Sequence, residues 1–158
     1  MNAEQIAALV PQLLQARYPG KCRKVDDALA PSGSWLMEDE DIFGLIRATD
    51  TTHPFIWIKL GVAIEIPRSS ELAHYVACAN RKLVTGRAYL AYGERFALVV
   101  VDETVFASSI SLDFQPSMQD LVNRLETSMR HARELRQELL GQFGGRPFAG
   151  EDWIQLAL

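Results

Sequence analysis

The chain of 158 residues is 48% apolar and 23% charged, and its formal net charge is −4. This size and composition are typical of one globular domain with a buried core, and they exclude a disordered or fibrous protein. The negative charge argues against nucleic acid as a partner, because a phosphate backbone binds concentrated basic surfaces. Arginines near the end of the chain are interleaved with glutamates, which predicts an ion-paired, solvated helix face. These arginines are Arg124, Arg130, Arg133 and Arg136.

We expect a cytoplasmic protein, because the sequence shows neither a secretory signal nor a membrane-spanning run. The first residues have no basic start followed by an apolar core, so a secretory signal is not predicted. The sequence contains no apolar run as long as a membrane span, and we expect no membrane partner. Cys22 and Cys78 are the only cysteines, and a chain able to bury its own core needs no disulfide framework. We expect both thiols to be reduced.

The first half of the chain predicts one helix and then a meander of three antiparallel strands. Pro11 lies inside the helical pattern and predicts either a kink or a helix that begins there. Strand patterns follow at 34–38, 42–48 and 55–66, and the connections between them are too short for parallel crossovers. Gly61 interrupts the third strand and predicts a bulge or a strong twist.

The second half predicts a helix from Ser70, a β-hairpin over 86–103 and a long last helix that Gly144-Gly145 ends. Gly93 is expected to supply the positive φ of the hairpin turn. Residues 104–115 predict a strand end followed by a loop, and Pro116-Ser117 opens the last helix.

These elements predict an α+β fold with an antiparallel sheet of about five strands, in the order helix, three strands, helix, two strands, helix. We assign residues 1–148 to a single domain and 149–158 to a C-terminal tail of apolar and acidic residues. Because the tail contains Trp153 and several aliphatic residues, we expect it to dock on a surface.

A resemblance to a known family is carried mainly by the second half of the chain. The residues are Asn80, Gly86-Arg87, Tyr89-Leu90, Val99-Val100-Val101, Glu103, Ala132, Leu135, Leu139, Phe143-Gly144-Gly145-Arg146 and Phe148. In these residues the stretch 70–148 resembles the type III secretion chaperone-like and YbjN-like peptide-binding domains, in which the same order of elements recurs. The first half matches only by pattern, and the insert 107–110 and the Trp153-containing tail depart from the family. The resemblance implies a dimeric, non-enzymatic protein that holds a segment of another protein.

Alternation along the strands predicts a sheet with two apolar faces. In the third strand Ile56, Ile58, Leu60 and Val62 share one face, whereas Phe55, Trp57 and Lys59 share the other. A sheet covered on one side only would alternate more cleanly between apolar and polar residues. The second face is covered either by a helix or the tail of this chain or by a partner, and both alternatives stay open. The residues expected to contact a partner are Phe43, Leu45, Phe55, Trp57, Val99 and Val101.

Patterns for metal binding or catalysis are weak. His74 and Cys78 lie one helical turn apart, but two ligands make a poor metal site. The acidic turn Asp39-Glu40-Asp41 lacks the spacing of a calcium loop, and the serines match no nucleophile motif. Since Gly144-Gly145 follows a helix, it favours a helix stop over anion capture. We therefore expect no enzyme, no metal and no cofactor.

The leading hypothesis is a cytoplasmic, chaperone-like or adaptor module that forms a homodimer and binds a segment of a client protein. The alternative is a sensory or regulatory domain with a pocket for a small ligand between sheet and helix. A small enzyme ranks third. Surfaces of this kind do not identify a client, so the sequence leaves the client, the dimer geometry and any link to secretion open.

Overall fold

Helices and strands alternate in long blocks along the chain, as expected for an α+β protein. The structure is a computed structural model that describes residues 3–25, 33–49, 52, 54–93, 96–106 and 114–157. Its elements are α1 (Ala3–Arg17), β1 (Cys22–Lys24), β2 (Ser34–Asp39), β3 (Ile42–Ala48), β4 (Phe55–Pro67), α2 (Ser70–Ala79), β5 (Arg87–Tyr92), β6 (Phe96–Phe106), α3 (Phe114–Phe143), β7 (Arg146–Pro147), a 3₁₀ helix (Gly150–Trp153) and α4 (Ile154–Ala157). The Ala107–Ile110 insert lies outside the described residues.

The described strands form one antiparallel sheet in the order β1-β2-β3-β4-β6-β5, and β7 pairs with β4 beside this path. The predicted meander and hairpin are confirmed, but the sheet has seven strands instead of about five, and α4 follows the predicted last helix. The two added strands, β1 and β7, have three and two residues. Segments this short show no alternation that a sequence pattern could detect.

The helices α1, α2 and α3 cover one face of the sheet, which we call the helical face. Ile58, Leu60 and Val101 of the sheet belong to one buried cluster with Leu72 of α2 and Leu125 of α3. Each of these side chains is at most 1% exposed, and burial of such a side chain contributes about 1.5–3 kcal/mol. The helical stripes in the sequence therefore meet the strand face on which alternation placed Ile58 and Leu60.

Pro11 lies inside α1, so the helix does not begin there. A proline in a helix leaves the carbonyl four residues earlier without its hydrogen bond. That residue is Ala7, which is exposed, so water can solvate the free carbonyl.

Of two glycines in the hairpin region, Gly93 differs from expectation, and Gly86 has a positive φ that the sequence did not predict. Gly93 donates its N–H to the carbonyl of Phe96 at 2.9 Å, but it has no positive φ. Residues that flank a two-residue hairpin loop keep a strand-like backbone, so the positive φ was assigned to the wrong position. Gly86, before β5, has a φ of 70°, and a Cβ there would lie 2.5 Å from the carbonyl oxygen of Asp102. Among the described residues of the hairpin, Gly86 therefore has the left-handed backbone.

The predicted irregularity near Gly61 is confirmed. The register between β4 and β6 shifts between Gly61 and Ala63 and again between Ala63 and Ile66. Glu65, inside the second shift, has a φ of 60°. The distortion opens room beside β4 for the short strand β7, which pairs with Ala63 and Ile64.

The arginines of α3 do not all lie on a solvated face. Arg136 is only 7% exposed, its Nη1 donates to the carbonyl of Asp41 at 2.8 Å, and its Nη2 pairs with the Asp41 carboxylate. Arg133 pairs with the same carboxylate at 3.0 Å and with that of Asp39 at 3.5 Å. The acidic turn between β2 and β3 therefore holds this hairpin against α3, and its carboxylates are used as ion-pair partners.

Candidate functional site

The second face of the sheet is divided between a covered half and a more exposed half. The covering segment is residues 146–157, which we call the C-terminal segment. Its Phe148 is 2% exposed and packs in a second buried cluster with Leu45, Val100 and Leu156. The sequence left open whether this chain or a partner covers the second face. The structure shows that the chain itself covers one half of it.

Gly61 makes room for Phe148. A Cβ at Gly61 would lie 2.3 Å from the ring carbon Cγ of Phe148, so the ring occupies the space that a side chain would take. Farther along the segment, the Lys59 ammonium donates to the carbonyl of Leu156 at 2.9 Å. A ring in a backbone notch and a lysine on a main-chain carbonyl are contacts by which one peptide segment binds a sheet face.

An ion pair shapes the C-terminal segment itself. Arg146 forms two parallel hydrogen bonds to Asp152, of 2.7 and 2.9 Å. The amide of Ala149 donates to the same carboxylate at 2.9 Å, which caps the 3₁₀ helix. These contacts lower the pKa of Asp152, and the Arg146 guanidinium is the largest cause. The segment is therefore pre-organised as a compact turn.

The more exposed half carries a band of side chains from three neighbouring strands, which we call the aromatic strip. Its members are Arg47 of β3, Phe55 and Trp57 of β4, and Asp102 and Phe106 of β6. The Phe55 and Phe106 rings meet with their centroids 5.8 Å apart, and Phe106 is 52% exposed. Phe55 and Trp57 are half-buried. Side chains of this size and exposure supply much of the binding energy at protein interfaces.

Trp57 lies at the centre of the strip and contacts two cations. Arg47 is its direct cross-strand neighbour, with the guanidinium carbon 4.9 Å from the ring centroid. The Lys59 ammonium lies 4.1 Å from the same ring. The indole N–H points to the Asp102 carboxylate, at 3.5 Å. Cation–π contacts and this polar contact hold the ring in place on the sheet.

The charges of the strip are not balanced locally. Asp102 is 3% exposed and forms a two-pronged pair with Arg87 of β5, at 2.9 and 3.3 Å. Burial lowers the pKa of Lys59, and the positive charge of Arg47 lowers it further. Burial also raises the pKa of Tyr89, which neighbours this pair on β5. Cations therefore outnumber carboxylates among the described groups of this region.

The residues expected to contact a partner lie in three places. Phe55 and Trp57 are in the aromatic strip, whereas Phe43 and Leu45 contact the cluster under the C-terminal segment. Val99 and Val101 are 0% exposed and lie in the core on the helical face, so no partner reaches them in this conformation. Their alternation was read correctly, but α2 and α3 cover that face.

Sequence reasoning missed Arg47, Asp102 and Phe106. The sequence did contain a signal for Arg47 and Asp102, since both are charged residues within apolar strand patterns. Strand alternation places both on the second face of the sheet. Joining them to Trp57 requires the pairing register, in which Arg47 is opposite Trp57 and Asp102 is opposite Lys59. That register depends on strand pairing over long sequence distances.

A cleft of about 400 Å³ lies at the other side of the C-terminal segment, beside β1 and β2. Its lining residues include Cys22, Met37, Glu38, Phe43 and Trp153. Burial raises the pKa of the Cys22 thiol to about 11, so this thiol stays protonated at neutral pH. The volume is sufficient for a small ligand.

Other candidate sites have few functional groups. The Cys78 sulfur lies 3.5 Å from Nε2 of His74, but the described residues include no group of three or more His, Cys, Asp or Glu side chains placed to hold a metal ion. Among the described helices, none combines the length and the apolar character needed to cross a bilayer.

Comparisons with known proteins support the fold. No protein-family model and no curated protein matches the chain. Among solved structures it is similar to YbjN from E. coli, described as a candidate transcription regulator, with a TM-score of 0.56 and 12% sequence identity over 83% of this chain and 91% of that one. The chain therefore has a YbjN-like α+β fold. The predicted resemblance to type III secretion chaperones stays a prediction.

Proposed function

We propose that the protein is a non-enzymatic, chaperone-like or adaptor module that binds a peptide segment of a client protein on the second face of its sheet. The aromatic strip is the observation that carries this proposal. It presents Phe55, Trp57 and the half-exposed Phe106 on the half of the face that the C-terminal segment leaves uncovered. Aromatic side chains fixed on a sheet bind a partner with little loss of conformational entropy.

The C-terminal segment supports the same function from inside the molecule. It is a segment bound on this face through a ring over Gly61 and a main-chain carbonyl at Lys59. A client segment on the neighbouring half would use the same types of contact, with Trp57 and Phe55 as the apolar surface.

The test is a double substitution, Trp57→Ala with Phe55→Ala. A photocrosslinking amino acid at Phe106 is used to capture the client in cells of the native host, and the captured protein is identified by mass spectrometry. We expect the crosslinks of the parent protein to disappear in the double variant, while its circular dichroism spectrum is unchanged. If the same protein is captured with equal yield, the strip is not the client site.

Tyr92→Ala is the matched control. Tyr92 is 51% exposed and, two residues beyond Leu90 on β5, it points to the helical face, where Arg68 lies 4.6 Å from its ring centroid. Loss of this exposed aromatic residue should leave the capture unchanged. A loss of capture equal to that of the double variant would mean that nonspecific binding to exposed aromatic residues, and not the aromatic strip, retains the client.

A small-ligand sensory domain is the second candidate, and the cleft beside Cys22 and Trp153 favours it. Thermal stabilisation by members of a metabolite library, abolished by Phe43→Ala but not by Trp57→Ala, would support this function. We propose a homodimer and a cytoplasmic location as part of the leading function. Light scattering coupled to gel filtration tests the dimer.

A further inference from the structure

Arg47 carries a charge that the described part of the chain does not pair with a carboxylate. Its guanidinium packs on Trp57, with no hydrogen bond or ion pair to another described residue. Its Nε atom is enclosed without an acceptor. Arg87, on the same face, differs because it is held by Asp102 at 2.9 Å. A guanidinium that is partly withdrawn from water and has no acceptor is ready to bind an anion.

A second cation, Lys59, adds to the positive charge beside the Trp57 ring. The Lys59 ammonium contacts the same ring, and its hydrogen-bond acceptor, the carbonyl of Leu156, is neutral. Burial is the largest cause of the lowered pKa of Lys59, and the neighbouring positive charge of Arg47 lowers this pKa further. An anion placed at Arg47 would reduce the repulsion between the two cations, because like charges in a medium of low dielectric constant interact strongly.

We propose that the client segment carries an aspartate or glutamate side chain that accepts hydrogen bonds from Arg47, and, two positions away, an apolar or aromatic residue that packs on Phe55. This inference rests on the proposed function. Because Nε is enclosed, the carboxylate meets the Nη end of the guanidinium. Phe55 lies two residues from Trp57, the cross-strand neighbour of Arg47. Alternate residues of an extended segment face the same side at about this spacing, so the acidic and apolar residues are two positions apart.

An acidic peptide fits the strip better than a nucleic acid does. Single-stranded nucleic acids bind by stacking their bases on open aromatic faces. The Trp57 ring already contacts Arg47 and Lys59, at 4.9 and 4.1 Å.

The experiment selects ligands from random peptides displayed on phage, with the intact protein as bait. We expect recovered peptides to be enriched in Asp and Glu near an aromatic or aliphatic residue. One enriched sequence is then synthesised with an amidated C-terminus, which removes the terminal carboxylate as a source of charge. Replacing its acidic residue by the corresponding amide should weaken binding by roughly tenfold or more, as for loss of a charge-assisted hydrogen bond.

A double-mutant cycle assigns the contact. Arg47→Gln should weaken binding of the acidic peptide by a similar factor, and combining it with the amide peptide should cause little further loss. Arg81→Gln is the matched control, because Arg81 is exposed in the turn after α2, on the helical side, and its loss changes the net charge equally. It should leave the affinity unchanged.

The outcomes separate the inference from the proposed function. Peptides that bind through Trp57 without an acidic preference would overturn the inference alone, and so would additive losses in the cycle. Recovery of no peptide would overturn both proposals. If oligothymidylate binds more tightly than the peptides, and this binding depends on Trp57, the ligand of the aromatic strip is a nucleic acid and not a peptide.

Discussion

Gly61→Ala tests how the second face is packed, because Gly61 and Phe148 cannot both keep their places once a methyl group is added. The new Cβ would lie 2.3, 2.4 and 2.7 Å from three ring carbons of Phe148. Carbon atoms in contact are about 3.5–4.0 Å apart, so the ring must move by roughly 1 Å or more. Phe148 is 2% exposed, and the displaced ring loses packing on the sheet.

The expected cost follows from the contacts of Phe148. Complete loss of a buried phenylalanine side chain costs about 3–5 kcal/mol. Replacing a strand glycine by alanine offsets about 0.5–1 kcal/mol of this through reduced backbone entropy. Since the ring keeps part of its contacts after moving, we expect Gly61→Ala to lower the free energy of unfolding by about 2–3 kcal/mol. At this chain length, that corresponds to a decrease in Tm of roughly 4–12 °C.

Urea unfolding followed by circular dichroism measures the loss, and hydrogen exchange over 146–157 locates it. Gly141→Ala is the control, because a Cβ at that position of α3 has no atom within 4 Å and alanine favours a helix. A variant that also carries Phe148→Ala should lose little more than Phe148→Ala alone, with a coupling of about 2 kcal/mol. Unchanged stability of Gly61→Ala, with unchanged exchange in the C-terminal segment, would refute this account of the packing.

Two further predictions concern ion pairs. Arg136→Ala should lower the free energy of unfolding by about 2 kcal/mol, because it removes a buried guanidinium with two hydrogen bonds to Asp41. Arg133 is more exposed, so Arg133→Ala should lower the free energy of unfolding by less than about 1 kcal/mol. Equal losses for the two variants in urea unfolding would contradict this reasoning. Asp152→Asn should lower the free energy of unfolding by about 1 kcal/mol at neutral pH. Arg146 lowers the pKa of Asp152, so the ion pair stabilises the folded state fully above the ordinary aspartate pKa of 3.8. As the pH falls below 3.8 and through the lowered folded pKa of Asp152, this contribution is lost, so the difference in stability between the two proteins should shrink as the pH falls. A difference that stays constant with pH would contradict the assignment.

The fold was largely predictable because its main elements are long and strongly patterned. The bounds of β3 agree with the prediction, and β4 extends it by one residue. Patterns fail where stability comes from a few distant contacts. The start of α3 at Phe114, before Pro116, lies within the stretch expected to be a loop. The buried position of Arg136 was missed for the same reason, since its partner Asp41 is far away in sequence.

The candidate site was only half predictable. Alternation correctly put Phe55 and Trp57 on the face away from the helices, but it does not report which face a helix covers, and Val99 and Val101 were therefore included. The charged members Arg47 and Asp102 become part of the site through strand register. Apolar character alone thus identified the surface but not its electrostatics.

The sequence by itself determined the helical stripes, the strand alternation and the bulge at Gly61, because these follow from local periodicity and backbone freedom. Only the tertiary structure decided how the second face is shared. Phe148 covers one half because Gly61, distant in sequence, leaves a space for its ring. Trp57 remains half-buried on the other half, where β-pairing brings Arg47 to its ring. Both outcomes depend on packing between residues that local sequence cannot relate.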